Sequence, residues 1–517
     1  MESEIWCGDA RRGPGSLHRR VVRVRGYYTA DQVRAAEAEL FTRVAAGVPM
    51  RRAAHGLARV VAEELRVRTG AVYGRAVTLL VGSGDNGGDA LWAGAELRGR
   101  GVAVSALLLD PERAHAAGLA ALIRRGGRVV DELGAPDLVV DGIVGLSGRG
   151  PLRPRAAELV AAVRVPIISV DLPSGVDPDT GAVDGPAVTA DVTVAFGAYK
   201  PVHALAAPRC GRVELVPIGL RLPAPDLIAL DPADVGAGWP VPGPDDDKYT
   251  QGVTGICAGS VTYPGAAVLC TGAAVAATSG MVRYAGTADV LAHWPEVVAA
   301  SSVADAGRVQ TWVVGPGSGT GGAAEAHLRQ VLAEDVPVVV DADGLTLLGS
   351  EPALLSGRRA PTVLTPHDRE FARLAGCEPG ADRVAAVRQL AEQWQVTVLL
   401  KGYATLIATP GRPVLVNVAG GAWASTAGSG DVLSGVIGAL LAAGADPAWA
   451  AAAAARAHAL AASLAADGAP IAAETLLAHL RPAVRTLRTL AAAVAADGVP
   501  GTGECCVTVA GWQDLML

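Results

Sequence analysis

The chain has 517 residues, half of them hydrophobic, which is enough to build buried cores and excludes a wholly disordered protein. The formal net charge of −7 argues against a nucleic-acid-binding protein, which normally presents a basic face. The seven cysteines form no CxxC pair, so they indicate neither a disulfide framework nor a zinc ribbon.

The N-terminus and the most apolar tract do not have the patterns of membrane or secreted proteins. Residues 1–26 are rich in arginine but lack the apolar core of a secretory signal. Residues 436–466 are mostly alanine and are interrupted by Asp446-Pro447, which predicts buried or amphipathic helices and not a membrane span. We therefore expect a cytoplasmic enzyme that has no membrane partner.

A proline-rich stretch divides the chain. Six prolines lie between residues 221 and 247, and the stretch ends in three aspartates, so we predict a linker over 223–247. It separates a unit at 27–222 from a unit at 248–492, each of a size that one large α/β domain can have. Residues 1–26 form an extension and residues 493–517 a tail, and neither has an assigned role.

Both units alternate short β-branched runs with helical patterns, which predicts two α/β domains with parallel sheets. The first unit is expected to be a Rossmann-like doubly wound sheet with strands at 76–81, 102–109, 138–141, 167–171 and 192–196. The second repeats the pattern and ends in alanine-rich helices, with strands at 252–258, 311–314, 336–340, 362–364 and 396–400.

Polar side chains follow three strands of the first unit. Residues 82–89 (Gly-Ser-Gly-Asp-Asn-Gly-Gly-Asp) join a strand to a helix, where glycines let a ligand approach and the helix N-terminus favours an anion. Asp141 and the loop Gly145–Pro151 follow a second strand, and Asp171 and Ser174 a third. These groups are expected at one edge of the sheet, where open α/β sheets bind ligands. Taken singly, each also has a structural explanation, as a turn or cap residue.

Lysine and asparagine are scarce in this chain. Only three of the 44 basic residues are lysines, Lys200, Lys248 and Lys401, and the two asparagines are Asn86 and Asn417. A retained lysine indicates a position that needs a compact ammonium group and not a planar guanidinium, unless it survives by chance. Lys200 follows the fifth strand of the first unit, and Lys401 ends a strand of the second.

The segments Asp85–Asp89, Gly145–Pro151 with the preceding Asp141, and Asp171–Gly175 resemble the YjeF N-terminal family, the NAD(P)H-hydrate epimerases, over residues 28–220. This resemblance implies that Asp171 is the acid or base of epimerisation and that K⁺ is held by Asn86, Asp141 and Ser174. It also implies substrate contacts, in addition to Asp171, from Asp85, Asn86, Gly87, Gly88, Asp89, Gly145, Leu146, Ser147, Gly148, Arg149, Gly150 and Pro151. The family usually has asparagine in place of Asp85 and glycine in place of Ala90.

The second unit carries its own ordered motifs, most of them after strands: Lys248-Tyr249, Gly259-Ser260, Tyr263–Ala267, Gly315–Gly319, Asp341–Gly344, Thr365–Glu370, Lys401-Gly402 and Thr426–Leu433. The last is the strongest, because Gly428–Gly430 at a helix start surround an anion with N–H groups and the positive end of the helix dipole. Asp431 in the first turn can act as a base toward a substrate hydroxyl, or be an ordinary helix-start charge. His367 can be structural or functional.

The glycine–aspartate helix start resembles the ribokinase-like superfamily, so a ribokinase-like α/β fold is implied for the second unit. The ordered motifs narrow this to the YjeF C-terminal family, the nucleotide-dependent NAD(P)H-hydrate dehydratases, over residues 240–490. By position, the resemblance implies contacts between the hydrated cofactor and Ala266, Gly317, His367 and Asp431. It implies an adenine nucleotide at Lys401, Gly402, Tyr403, Ala404, Thr405 and Gly430.

Together the two resemblances imply a bifunctional repair enzyme for hydrated nicotinamide cofactors. The first unit would interconvert the R and S epimers of NADHX and NADPHX. The second would use Mg²⁺ with ADP or ATP to dehydrate the S epimer, after Asp431 deprotonates the substrate hydroxyl for attack on the terminal phosphate. We expect small-molecule substrates, a homo-oligomer and no nucleic-acid partner, and the choice between ADP and ATP stays open.

Two other functions are compatible with parts of the sequence. A ribokinase-like kinase for a vitamin or small molecule, fused to a regulatory nucleotide-binding domain, would share the helix start, although Thr365-Pro366-His367 and Lys248-Tyr249 favour the dehydratase. Some relatives of the first domain act as RNA-associated scaffolds. The acidic net charge and the set Asp141, Asp171 and Ser174 argue against that role here.

Overall fold

The computed structural model describes residues 24–496. Most of the extension 1–26 and of the tail 493–517 therefore lies outside the described residues, as do Cys7, Cys505 and Cys506. The chain divides into two compact units: Gly26–Leu227, and the residues from Ile228 onward together with those up to Arg25. The four cysteines of the described residues are free thiols.

The first unit is a seven-stranded parallel sheet with helices between its strands. The first element of the described residues is β1 (Val24–Tyr27), and the strands of this sheet are β2 (Ala76–Val81), β3 (Ala103–Leu108), β4 (Arg128–Val129), β5 (Leu138–Gly142), β6 (Ile167–Val170), β7 (Val192–Phe196) and β8 (Arg212–Val216). The helices are α1 (Ala30–Arg43), α2 (Val48–Thr69), α3 (Asp85–Gly99), α4 (Ala116–Arg124), α5 (Pro154–Ala162), α6 (Val202–Leu205) and α7 (Ala207–Cys210).

The strand order of this sheet is β4-β3-β2-β5-β6-β7-β8. The chain runs outward from β2 to β4 on one side and then from β5 to β8 on the other, so the order reverses between β2 and β5. A crevice opens at the carboxyl ends of the strands at such a reversal. Strands β5, β6 and β7 are buried along their whole length, which explains their nearly continuous apolar sequences.

The second unit is built on an eleven-stranded sheet that includes β1 as an edge strand, next to β9. Its other strands are β9 (Leu227–Leu230), β10 (Val253–Cys257), β11 (Met281–Ala285), β12 (Val298–Ala300), β13 (Thr311–Val314), β14 (Val338–Val340), β15 (Thr362–Leu364), β16 (Thr397–Leu400), β17 (Ala404–Ala408) and β18 (Val414–Val418). The helices are α8 (Pro232–Gly238), α9 (Pro264–Ala277), α10 (Gly322–Ala333), α11 (Asp343–Ser350), α12 (Asp368–Ala375), α13 (Arg383–Trp394), α14 (Ser429–Ala442), α15 (Pro447–Ala466), α16 (Ala473–Ala478) and α17 (Leu480–Ala496).

The strand order in the second sheet is β1-β9-β18-β17-β16-β15-β14-β13-β10-β11-β12. Strands β10 to β16 pair in parallel, whereas β17 is antiparallel to both β16 and β18. The alanine-rich tract forms the buried helices α14 and α15, as predicted, because small side chains let helices pack closely. Among residues 24–496, no helix is long and apolar enough to cross a membrane.

The predicted linker over 223–247 is wrong in its central part. Leu227–Leu230 form β9, and α8 follows, with the Asp231 carboxylate accepting a hydrogen bond from Ala233 N at its start. Trp239 is buried and donates its indole N–H to Ala277 O at 2.9 Å. The prolines were misleading because proline also suits the first turn of a helix, as Pro232 does here. The second unit therefore begins near Ile228 and not at Lys248.

Candidate active sites

The first candidate site lies at the carboxyl ends of β2, β5 and β6. Helix α3 begins at Asp85, so Asp85–Asp89 form its first turns instead of part of the preceding loop. Asp141 is the fourth residue of β5, Asp171 follows β6 directly, and Ser174 is three residues further on. The predicted residues of the first unit therefore meet at one edge of the sheet.

Asp141 is the centre of a hydrogen-bonded cluster. It is 1% exposed, and its two carboxylate oxygens accept from Ser174 Oγ at 2.7 Å, Ser174 N at 3.0 Å and Ser169 Oγ at 2.8 Å. Burial raises the pKa of Asp141, while the hydrogen bonds from the two serines act in the opposite direction. Ser174 Oγ also accepts from Val144 N at 2.9 Å and lies 3.3 Å from Val144 O.

Asn86 reaches the same cluster from the start of α3. Its amide nitrogen lies 2.6 Å from Val170 O and 3.3 Å from Val144 O, so both carbonyls accept from it. A Cβ on Gly145 would lie only 2.3 Å from Asn86 Oδ1, which explains glycine at that position. Coordination of a cation by Asn86 requires its amide to turn over, because only the oxygen can be a ligand.

Asp171 has an unusual backbone for an aspartate, with a φ of 67°. Its Oδ1 accepts from Phe196 N at 3.0 Å and forms an ion pair with Lys200 Nζ. His203 Nε2 lies 2.9 Å from the Asp171 carbonyl oxygen. Lys200 and His203 were not predicted as site residues, and the scarcity of lysine was the only signal for Lys200.

Other acidic groups surround this edge of the sheet. Asp89 is 6% exposed and its Oδ1 has no hydrogen-bond partner among the described residues. Burial and the nearby carboxylates, Asp171 first, raise the pKa of Asp89 well above its usual range. Arg149 of the loop Gly145–Pro151 pairs with Asp177 and Asp179, at 3.8 and 3.5 Å.

The second candidate site lies at the carboxyl ends of the parallel strands β13 to β16. Asp341 follows β14, Thr365–His367 follow β15 and Lys401 follows β16. Lys401 N donates to Pro366 O at 2.9 Å, which fixes these last two loops side by side. The loop Gly315–Gly319 after β13 is joined to α11 by a 2.8 Å hydrogen bond from Gly319 N to Asp343 Oδ2.

Lys401 points into this site and not simply toward solvent. Its Nζ is 2.8 Å from Asp341 Oδ1 and 4.0 Å from Glu370 Oε2. The other Asp341 oxygen accepts from Ser434 Oγ at 2.8 Å, so Asp341 joins the end of β14 to helix α14. A Cβ on Gly430 would lie 3.2 Å from Lys401 Nζ, which shows how closely the helix start approaches the ammonium group.

Helix α14 begins as the sequence predicts, after Gly428 in a left-handed conformation and without a side-chain cap. Ser429 N donates to Thr426 O at 3.3 Å, so the N–H groups of Gly430 and Asp431 are the ones at this helix start that remain available to an anion. Asp431 lies in the first turn, and burial, followed by the Asp341 carboxylate, raises its pKa to about 7. Lys401 acts in the opposite direction on the same carboxyl.

His458 of α15 supports the helix start. It is buried, and burial lowers its pKa to about 4, so the ring is neutral at pH 7. Its Nε2 lies 2.8 Å from Ser429 O and donates to that carbonyl. Asp341, Ser434 and His458 were not among the predicted site residues, although the Asp341–Gly344 motif after a strand could have indicated the first of them.

The predicted contact residues of the hydrated cofactor lie on separate loops of this edge. His367 caps α12, since its Nδ1 accepts from Arg369 N at 3.1 Å and Glu370 N at 3.3 Å, which leaves Nε2 as the protonated nitrogen. Gly317 has a φ of 59°, and a Cβ there would lie 2.7 Å from the Cβ of Ala266, so these two predicted contacts are neighbours.

The segment Lys401–Thr405 runs from the end of β16 into β17. Gly402 is exposed, and Tyr403 is half-buried, which raises the pKa of its phenol. Ala404 and Thr405 are buried in β17, and Thr405 Oγ donates to Gly402 O at 3.0 Å. Within this segment, therefore, Lys401, Gly402 and Tyr403 are the residues accessible to a nucleotide.

Comparisons with known proteins give the same division of the chain. A family model described as NAD(P)H-hydrate dehydratase matches residues 254–482, and one described as YjeF-related protein N-terminus matches residues 47–202. The bifunctional NAD(P)H-hydrate repair enzyme Nnr of Mycobacterium tuberculosis (strain CDC 1551 / Oshkosh) is 62% identical over 427 residues, which cover 81% of this chain and 90% of that protein.

The enzyme of the same name from Mycobacterium leprae is 59% identical over 475 residues, which cover 90% of this chain and 100% of that protein. A solved structure described as an ADP/ATP-dependent NAD(P)H-hydrate dehydratase from Bacillus subtilis, co-crystallized with ATP/Mg²⁺, is 25% identical. It covers 50% of this chain and 97% of its own, with a TM-score of 0.45.

Proposed function

The chain belongs to the bifunctional NAD(P)H-hydrate repair enzymes, and from this membership we propose which of its residues carry out the two reactions. The enzyme epimerises hydrated NADH and NADPH and dehydrates the S epimer back to the reduced cofactor. One feature supports a separate chemical step in each unit. Each places a carboxylate beside the carboxyl ends of parallel strands: Asp171 directly follows β6, and Asp431 lies in the first turn of α14, next to the Lys401 that follows β16.

Asp171 is the proposed acid and base of epimerisation. Inverting a carbon that bears a hydroxyl requires one of its bonds to break and to form again on the opposite face, with proton transfer to and from the substrate. The carboxylate takes the hydroxyl proton as the bond between this carbon and the ring nitrogen breaks and the oxygen becomes a carbonyl. It returns the proton when that bond forms again on the opposite face, so no co-reactant is consumed. The residues Asp85–Asp89 and Gly145–Pro151 remain the proposed substrate contacts around Asp171.

K⁺ is the proposed ion of the first unit. Its ligands would be Asp141, Ser174 and the Val144 carbonyl, with Asn86 joining after its amide turns over. These are oxygen atoms with a single carboxylate among them, a set that suits a monovalent cation. When bound, the ion would supply positive charge beside a buried carboxylate whose pKa burial raises.

Asp431 is the proposed base of dehydration. It removes the proton of the substrate hydroxyl, and that oxygen forms a bond to the terminal phosphorus of an adenine nucleotide while the nucleotide leaves with one phosphate fewer. The substrate C–O bond then breaks, releasing inorganic phosphate, and loss of a proton from the adjacent carbon restores the ring double bond. Phosphate is a far better leaving group than hydroxide.

The start of α14 supports a nucleotide phosphate in this position. The helix start has no side-chain cap, the N–H groups of Gly430 and Asp431 lie in its first turn, and Lys401 places an ammonium group beside Gly430. Among residues 24–496, no three histidine, cysteine, aspartate or glutamate side chains are arranged as a metal site. We propose that Mg²⁺ is bound together with the phosphates of ADP or ATP, where it would neutralise charge on the transferred group.

A mixture of R and S hydrates separates the two activities. With ADP or ATP, the wild-type enzyme should convert both epimers to NADH, followed by its absorbance. Asp171→Asn should convert only the S fraction, whereas Asp431→Asn should form no NADH while chromatography still shows interconversion of the epimers. Asp31→Asn and Asp335→Asn, at exposed positions of the first and second units, are the matched controls.

Each of the two proposed residue roles can be contradicted separately by this experiment. Complete NADH recovery by Asp171→Asn, above the rate without enzyme, would remove Asp171 from epimerisation. Near-wild-type dehydration by Asp431→Asn would remove Asp431 from the dehydration reaction. The homo-oligomer and the cytoplasmic location remain predictions, which light scattering and cell fractionation would test.

A further inference from the structure

The Asp171 side chain is restrained on one side only. Its Oδ1 accepts from Phe196 N and from Lys200 Nζ, whereas Oδ2 has no hydrogen-bond partner among residues 24–496. Asp171 as a whole is buried, with 4% of its surface exposed, so Oδ2 is the oxygen of this carboxylate that the described residues leave free for a further hydrogen bond. The two carboxylate oxygens are therefore not equivalent, and only Oδ2 can meet a substrate.

Lys200 is buried with this carboxylate. It is 1% exposed, and its Nζ donates to Phe196 O at 2.9 Å in addition to its ion pair with Asp171. Removing an ammonium group from water is unfavourable unless it is paired and hydrogen-bonded, as it is here. Because it bonds to two groups, the ammonium group holds the end of β7 against the residue that follows β6.

His203 fixes the backbone of the same aspartate. Its Nδ1 accepts from Lys200 N at 3.0 Å, so this nitrogen carries no proton, and Nε2–H donates to the Asp171 carbonyl at 2.9 Å. Asp171 adopts a φ of 67°, which an aspartate tolerates but which costs energy that its surroundings must offset. Its main chain is thus held by His203 and its side chain by Lys200.

We propose that Lys200 and His203 are positioning residues for epimerisation, which hold Asp171 so that Oδ2 alone exchanges a proton with the substrate hydroxyl. The inference rests on the proposed role of Asp171 as acid and base. Neither side chain needs to touch the substrate. A displacement of about 1 Å at a catalytic group can cost about 10²-fold in rate, so loss of either restraint should appear in kcat.

A double-mutant cycle on the full-length enzyme tests this role. Lys200→Met keeps the length of the side chain without its charge and should lower kcat of epimerisation about 10²-fold, with KM nearly unchanged. Asp171→Asn should cost about 10²–10⁴-fold. The double variant should be no slower than Asp171→Asn alone, because Lys200 acts only through that carboxylate. Arg128→Met, an exposed cation of the same unit, is the control.

His203→Phe provides a second, independent test if Lys200→Met does not fold, because it leaves both buried charges in place. It should lower kcat about tenfold in the wild-type background and have no effect in the Asp171→Asn background. Thermal unfolding by circular dichroism reports whether each variant is folded. The rate of dehydration by the same chain reports whether the second unit remains intact.

The outcomes separate the two proposals. If Asp171→Asn loses epimerisation while folded Lys200→Met and His203→Phe keep wild-type kcat, the positioning role is wrong and the role of Asp171 stands. If Asp171→Asn keeps its activity, the proposed function of that residue fails first. If Lys200→Met or His203→Phe slows the Asp171→Asn variant further, that residue acts independently of the carboxylate, and the inference is overturned.

Discussion

Dehydration should depend steeply on pH between 6 and 8, because its proposed base is held mostly protonated at the lower end. Burial and then the Asp341 carboxylate raise the pKa of Asp431 to about 7. Only the ionised carboxylate can accept the proton of the substrate hydroxyl. For a base of this pKa, the ionised fraction, and with it kcat/KM, rises about tenfold from pH 6 to pH 8.

Two substitutions should move this profile in opposite directions. Asp341→Asn removes a negative charge that raises the pKa of Asp431, so activity should persist to lower pH. Lys401→Met removes a positive charge that lowers the pKa of Asp431, so the rise of activity with pH should move to higher pH. Asp343→Asn, which changes a weaker contribution of the same sign as Asp341, should give a smaller shift to lower pH.

The assay is kcat/KM for the S hydrate at saturating nucleotide, measured by NADH absorbance at half-unit steps of pH. The terminal phosphate of the nucleotide also titrates, at about pH 6, but it does so identically with every variant. Differences between the pH profiles of the variants therefore report the pKa of Asp431 and not that of the nucleotide. A wild-type rate that is flat from pH 6 to pH 8 would refute the electrostatic account of Asp431. So would pH profiles of Asp341→Asn and Lys401→Met that shift in the same direction.

Three further outcomes follow from the described geometry. Lys401→Arg should raise the nucleotide KM at nearly constant kcat, because Asp341 and the start of α14 leave little room for a guanidinium; unchanged KM would mean that Lys401 does not bind the nucleotide. Epimerisation should be faster in K⁺ than in Na⁺ and weakest with a bulky organic cation, and Asp141→Asn should remove this preference. Asp431→Asn should raise the melting temperature of the free enzyme at pH 8, with a gain that shrinks toward pH 4. The pKa of Asp431 is about 7 in the folded state, above the value of 3.8 for the unfolded state. The free energy of unfolding of the wild type therefore falls as pH rises between these two values, and the asparagine variant avoids this loss.

The sequence predicted the parts of the structure that are local. All ten predicted strands are present within two residues of their expected bounds, because short β-branched runs bounded by turn residues are a short-range pattern. The start of α14 was predicted for the same reason, since its glycines and Asp431 lie within a few positions of one another. Strand β9 was missed because the prolines on either side of it dominated the pattern.

The contacts that were missed join residues far apart in the chain. Lys401 and Asp341 are 60 residues apart, and Ser434 and Asp341 are 93 apart. No periodicity or spacing in a single sequence encodes such a pair. Lys200 was noticed through composition, but its partner depends on β6 and β7 being neighbours in the sheet. Charge pairs between neighbouring strands can therefore be predicted only after the strand order of the sheet is known.

Strand β1 has a consequence for how this protein can be divided. Its first two residues, Val24 and Arg25, precede the first unit in the chain, yet the strand forms an edge of the second unit's sheet, beside β9. A truncated chain that starts at Ile228 would lack this strand, and β9 would expose a row of unpaired N–H and C=O groups. Such open edges recruit strands from other molecules and promote aggregation. An isolated dehydratase fragment would therefore be better made by joining Val24–Tyr27 to the start of β9 through a short designed turn than by simple truncation.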